Sequence, residues 1–292
     1  MNSHFKSSLY RASLLFMLSS LYSFAEAAEE IDTPPVSSIT LNMGQDTDKN
    51  INRQLQLNIE LTNYHQISTG YGDSTSSLSL FNTSQYFIGL ATNPYNSFSI
   101  GTEYNQWGKN NGLEVRTLKS DVFINLSQWS FSLSPQISIA TFYGNGENTS
   151  KTSNLDSKGI SISASYYGFK QYFFGANYFV NQFEENLFFT QDQVLTNFTL
   201  SRISESAQLL ISGLEKHHEG ISAGRFFDWG SIEIDWIQSQ AALVANKSNT
   251  TSLIIDYQLT NQLSLSLIAS QQRLSGDNSA LNALDLGLTI YW

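Results

Sequence analysis

The chain has no cysteine and only four prolines in 292 residues. Without cysteine there is neither a disulfide framework to hold a small exported fold nor a thiolate to bind a soft metal. Charge is scarce as well. Asp, Glu, Lys and Arg make up 14% of the chain, against about a quarter in an average soluble domain. Bases are the scarcer half, with 15 Lys and Arg against 25 Asp and Glu and a formal net charge of −10. That balance argues against a nucleic-acid partner, because phosphate binding needs Lys and Arg. No basic block follows the first dozen residues, so no polybasic lipid-binding patch is expected. Beyond residue 27, no apolar run reaches the roughly 20 residues that a membrane-spanning helix needs. Histidines are few, at His65, His217 and His218 after the first 27 residues. No metal, nucleotide or haem motif appears, and no cofactor is expected.

What the chain does have is aromatics and alternation. Phe, Tyr and Trp together reach 13%, a mix that favours strands. The first 27 residues are the exception. Lys6 and Arg11 precede an apolar run from Ala12 to Phe24, and Ala25-Glu26-Ala27 fits the small-x-small cleavage rule. This pattern is that of a secretory signal peptide. Residues 28–36, acidic and carrying Pro34-Pro35, read as a short periplasmic lead-in, and residues 37–292 as one domain.

From Ser37 onward the dominant period is two, the period of a strand. Trp129, Phe131, Leu133, Ile137 and Ile139 alternate with Ser130, Ser132, Ser134, Gln136 and Ser138. Leu55, Leu57, Ile59 and Leu61 alternate with Gln54, Gln56, Asn58 and Glu60. Short connections interleave with longer polar ones. The short ones include Asn93 to Asn96, Ser127-Gln128, Gly168 to Lys170, Ile203 to Glu205, Asp228 to Gly230 and Thr260-Asn261. The longer ones are Gly70 to Thr75, Gly108 to Gly112, Gly144 to Ser157, Gln182 to Phe188, Ala241 to Ser248 and Leu274 to Ser279. Short turns on one side and longer loops on the other mark a transmembrane antiparallel up-and-down β-barrel. Units of about 18 residues give about 14 strands, within a range of about 12–16. Two places stay open: Ser37 to Gly44 is a strand or a periplasmic segment, and Leu78 to Leu90 is one strand or two.

In hydrocarbon every backbone N–H and C=O needs an internal partner, which a closed barrel supplies between strands. One face of each strand is apolar; the other is Ser, Thr, Asn, Gln and scattered charge. A face so polar implies a hydrated lumen rather than a filled core. Tyr95, Trp129, Tyr172, Trp229, Tyr257, Tyr291 and Trp292 are assigned to one interfacial girdle, and Trp107, Tyr143 and Phe188 to the other.

The last strand alternates Leu284, Leu286, Leu288, Ile290 and Trp292 with Asp285, Gly287, Thr289 and Tyr291. It resembles the terminal strand of Gram-negative outer-membrane barrels, which typically end in an aromatic residue. The resemblance implies an outer-membrane location, a surround of outer-membrane lipid and lipopolysaccharide, and recognition of this strand by the barrel-assembly machinery. In length, polar inner face and lack of a plug domain the chain is similar to monomeric, roughly fourteen-stranded porin-like channels.

The expected activity is passive diffusion of small polar or ionic solutes. Glu60, Glu103, Lys119, Asp121, Glu233, Asp235, Asp256 and Asp285 are assigned to the lumen, where an acidic excess biases a pore mildly toward cations. Glu114 and Arg116 are assigned to a rim or constriction. Two alternatives remain open. One is a solitary autotransporter-like or surface-interaction barrel that transports nothing. The other is a hydrolase, either a lipid-modifying enzyme or an omptin-like protease with Asp46 and Asp48 facing Glu215 and His217 across the rim. No motif of an outer-membrane phospholipase surrounds the histidines.

Overall fold

The computed structural model describes residues 37–62, 65–75, 83–92, 97–108, 113–146, 149–169, 171–183, 215–241, 247–274 and 280–292. The segments read as leader and lead-in lie outside them. Among the described residues there are fourteen strands: β1 (Ser38–Asp46), β2 (Ile51–Thr62), β3 (His65–Thr75), β4 (Thr83–Thr92), β5 (Phe98–Gly108), β6 (Leu113–Leu126) and β7 (Trp129–Gly146), followed by β8 (Thr149–Phe169), β9 (Tyr172–Phe183), β10 (Glu215–Phe227), β11 (Gly230–Ala241), β12 (Lys247–Thr260), β13 (Leu263–Leu274) and β14 (Ala280–Tyr291). Each pairs antiparallel with its sequence neighbours, and β1 pairs with β14, so the barrel is closed. The closing seam runs to the final residue: Ser37 N–H donates to the Trp292 carbonyl and Trp292 N–H to that of Ser37, each at 3.1 Å. No strand is left with an open edge, which is what hydrocarbon requires of a sheet.

The alternation becomes an outside and an inside. On β1 and β14, Leu41 stands opposite Leu288 and Met43 opposite Leu286. Leu41, Met43, Leu284, Leu286 and Ile290 are all exposed, as are Leu55, Ile88, Leu133, Ile162, Ile221, Ile234 and Leu253 around the wall. So large an apolar exterior is unstable in water and has a natural partner in lipid. This is a transmembrane β-barrel of the outer-membrane type. The end carrying Ser37 and Trp292 also carries the tight links Ser127-Gln128, Asp228-Trp229 and Asn261-Gln262. Short turns mark the periplasmic side, so the opposite end faces outward. A wall of fourteen strands spaced about 4.8 Å apart and tilted about 40° has a backbone diameter of roughly 28 Å.

Ser37 to Gly44 resolves as barrel wall, since β1 begins at Ser38 and bonds on both sides. Of Leu78 to Leu90, residues from Thr83 belong to β4, and residues 78–82 lie outside the described residues. Two expected loops prove to be strand. Gly70 to Thr75 is the outward half of β3, in register with both β2 and β4. Its Gly-Tyr-Gly-Asp composition suggests a turn, yet the long strands on either side supply pairing partners throughout. Gly144 to Ser157 is mostly the tip of a long hairpin, with β7 reaching Gly146 and β8 starting at Thr149. The tight turn expected at Ile203 to Glu205 lies outside the described residues.

The girdles also shift. Trp129 and Tyr172 are exposed near the periplasmic end, with Trp129 stacked on Phe131 at 5.8 Å and tilted against Tyr166 at 4.7 Å. Tyr257 stacks on Trp229 at 5.5 Å. Tyr291, however, turns inward, where its hydroxyl lies 3.3 Å from the Ser264 hydroxyl. Trp107 turns inward too and is buried opposite Gln85 and Val115. Its strand parity, shared with Glu103, overrides its position beside a loop. Tyr95 and Phe188 lie outside the described residues. The outward girdle is formed instead by exterior tyrosines, with Tyr71 directly opposite Tyr86 and Tyr104 and Tyr178 at similar depth.

Candidate functional site

The register places Glu60, Glu103, Lys119, Asp121, Glu233, Asp235, Asp256 and Asp285 on the face opposite the apolar exterior. They form two groups and two outliers. On one wall Glu103 of β5 stands directly across from Lys119 of β6. Lys119 Nζ lies 2.8 Å from Asp121 Oδ1, and the Ser134 hydroxyl donates to the same Asp121 oxygen. One lysine therefore serves two acids, and the group keeps a net negative charge.

The second group is Glu233 and Asp235 on β11 with Asp256 on β12. Most of their cross-strand neighbours are small: Glu233 has Gly224 on one side and Ile254 on the other, Ser222 and Ser252 flank Asp235, and Ser231 donates to Asp256 Oδ2 at 3.4 Å. Small neighbours leave room for water around these carboxylates. Among the described residues, no Lys or Arg stands on the inner face of β11 to β14. Six strands separate β5 and β6 from β11 and β12 in a ring of fourteen, so the two acidic groups occupy nearly opposite walls.

The outliers do other work. Glu60 sits at the periplasmic end of β2, where its backbone N–H donates to the Ser37 hydroxyl at 3.3 Å. Asp285 is buried at the closing seam and accepts a hydrogen bond from Asn52 Nδ2 at 3.0 Å. That bond reaches from β14 past β1 to β2. It passes over Gly44, where any side chain would collide with the Asp285 carboxylate. Asp285 is thus a structural tie more than a free pore charge.

The rest of the inner wall is a hydroxyl and amide lattice. Ser132 and Ser163 hydroxyls meet at 2.7 Å, Thr117 and Ser138 at 2.9 Å, and Ser239 and Ser248 at 2.8 Å. Near the outward ends of β5 to β8 the inner face becomes apolar, with Trp107, Val115, Ala140 and Leu155 all buried. Sequence reasoning missed this patch. The parity of each strand contains it, but only the register shows that four such residues meet.

Glu114 and Arg116 do bond to each other, but on the exterior face of β6, opposite Gly108 and Gln106. They form no constriction. The Glu215 and His217 pairing of the rim-protease alternative is not formed. A register shift between Glu215 and His217 rotates Glu215 onto His218, whose Nδ1 lies 2.8 Å from Glu215 Oε2. His218 stacks on the inward Phe179 at 5.1 Å, while His217 packs edge-on against exterior Tyr178. Asp46, at the end of β1, is held by Asn50 and lies four intervening strands from β10. Glu215 and His217 therefore do not share a face. Among the described residues, no cluster of three His, Asp or Glu side chains is arranged to hold a metal.

No family model and no curated protein matches the chain. Solved structures do. The NanC porin aligns at a TM-score of 0.46 and 8% identity, covering 86% of this chain and 98% of that one. The anion-selective porin from Comamonas acidovorans aligns at 0.46 and 9%, covering 88% and 98%. OmpT, an outer membrane protein of Vibrio cholerae, aligns at 0.46 and 9%, covering 91% and 100%. At such identities and scores these resemblances decide nothing about solute or reaction.

Proposed function

We propose that this barrel is a water-filled channel for passive diffusion of small polar or ionic solutes, with a mild preference for cations. The observation that carries the reading is the acidic excess of one wall: Glu233, Asp235 and Asp256 share the inner face of β11 and β12, and no Lys or Arg stands among the described inner-face residues of β11 to β14. Carboxylates in a confined, partly low-dielectric space raise the local cation concentration. The opposite wall adds the negative excess of Glu103, Lys119 and Asp121.

Reversal potential in a salt gradient tests this. The wild-type protein is expected to reverse on the cation-selective side of zero. The triple variant Glu233→Gln, Asp235→Asn, Asp256→Asn is expected to move toward zero by more than half of the wild-type displacement. Anion preference in the wild type, or no movement in the triple variant, overturns the charge assignment.

The protease alternative gains nothing from the geometry of His217 and His218. His217→Ala and His218→Ala are each expected to leave the rate of peptide cleavage at the buffer background, as in the wild type. A wild-type rate above background that either substitution abolishes would reverse this.

A further inference from the structure

The exterior of β11 to β14 changes character beyond its apolar band. Toward the outward end it presents Gln238, Lys247, Asn249, Gln271, Arg273 and Asn282. The amides are tied in pairs: Gln238 donates to Asn249 at 2.9 Å and Gln271 to Asn282 at 2.9 Å, while Lys247 Nζ donates to Gln238 Oε1 at 3.1 Å. Below them lie Leu253, Leu284 and Leu286, exposed to lipid. The patch therefore stands at the depth of the outer-leaflet headgroups.

Its charge is one-sided. Several exterior bases have acids at hand, whereas Arg225 bonds Gln171 and lies over the Tyr172 and Phe227 rings. Arg116 bonds Glu114, Arg53 stands opposite Asp73, and Lys158 shares a face with Asp156 two residues away. No Asp or Glu stands among the described exterior residues of β11 to β14; Glu219 of β10, across from Gln238, borders the patch on one side. Asn249 pairs with Arg273, so Lys247, two residues on, is Arg273's diagonal neighbour, about 7 Å away along the wall. A turn of the flexible Lys247 side chain from Gln238 toward β13 brings both cations to one phosphate, with Arg offering a planar fork and Lys a point charge. The surrounding amides suit sugar hydroxyls, which need donors and acceptors at once.

We propose that this wall docks the phosphorylated sugar headgroup of an outer-leaflet glycolipid. Lys247 and Arg273 hold a phosphate, the amides of Gln238, Asn249, Gln271 and Asn282 meet the sugar, and the acyl chains lie along the leucines below. The inference does not depend on the channel reading.

The test uses the full chain, purified and folded in detergent, titrated with a bisphosphorylated lipopolysaccharide lacking its outer polysaccharide, with native mass spectrometry as the readout. The wild type is expected to bind it about tenfold or more tighter than the enzymatically dephosphorylated form. The double variant Lys247→Gln, Arg273→Gln is expected to lose that discrimination. Arg225→Gln, on the exterior near the periplasmic end, is expected to retain it. Heat-dependent gel mobility confirms folding, and each single variant gives the reading where the double does not fold. Equal binding of both lipid forms by the wild type, or undiminished discrimination in the charge variants, overturns the proposal.

Discussion

Leu286→Arg is expected to lower the unfolding free energy in lipid vesicles by about 2–4 kcal/mol, read as a shift in the denaturant midpoint. Leu286 is 59% exposed on the exterior of β14, between Met43 of β1 and Leu267 of β13. In water an arginine there would cost little, because surface substitutions usually stay within about 0.5 kcal/mol. In hydrocarbon a guanidinium loses its hydration or drags water and headgroups toward itself. The neighbouring position gives the contrast. Ser266 stands on the inner face of β13, opposite Asp256 and Gly287. Ser266→Arg is expected to cost under about 1 kcal/mol, because it enters a wet space beside a carboxylate. The pair therefore tests both sides of the wall at once.

Gly230→Ala is expected to destabilise by about 3 kcal/mol or more, and to reduce the fraction that folds into vesicles. Gly230 opens β11 at a φ of 150°, a conformation that L side chains rarely adopt. A Cβ there would lie 1.9 Å from the Asp256 carbonyl oxygen and 2.8 Å from its carbon. Those are backbone atoms of the next strand, so no rotamer change relieves the clash. Relief would have to shift β11 against β12, the pair that carries Glu233, Asp235 and Asp256. Gly101→Ala is the matched control. Its Cβ would meet only the Ala91 Cβ at 3.3 Å and the Leu90 carbonyl at 3.5 Å, and a change under about 1 kcal/mol is expected.

The barrel was legible because alternation is a local property. Each Ser between Leu or Phe in Trp129 to Ile139 declares its face without reference to any other strand, and the alternating tail to Trp292 does the same. What depends on two strands was not legible. Gly70 to Thr75 has the composition of a turn and becomes strand because β2 and β4 are long enough to pair with it. The bulge that moves Glu215 from His217 to His218 leaves no mark in the residues themselves. The lumen charges could be assigned a face by parity, but not a role. Asp285 and Glu233 have the same parity signature, yet one is tied to Asn52 across the seam and the other stands on a wall whose described inner face holds no Lys or Arg. Trp107 is a different failure, because its parity with Glu103 already pointed inward and its place beside a loop drew the opposite reading.

On the proposed reading, the space inside these fourteen strands is filled with water and passes ions. Single-channel recording of the purified full-length protein in a planar bilayer tests it most directly. Discrete, reproducible current steps that scale with salt concentration are the predicted result. A bilayer that takes up folded protein and stays electrically silent would contradict it.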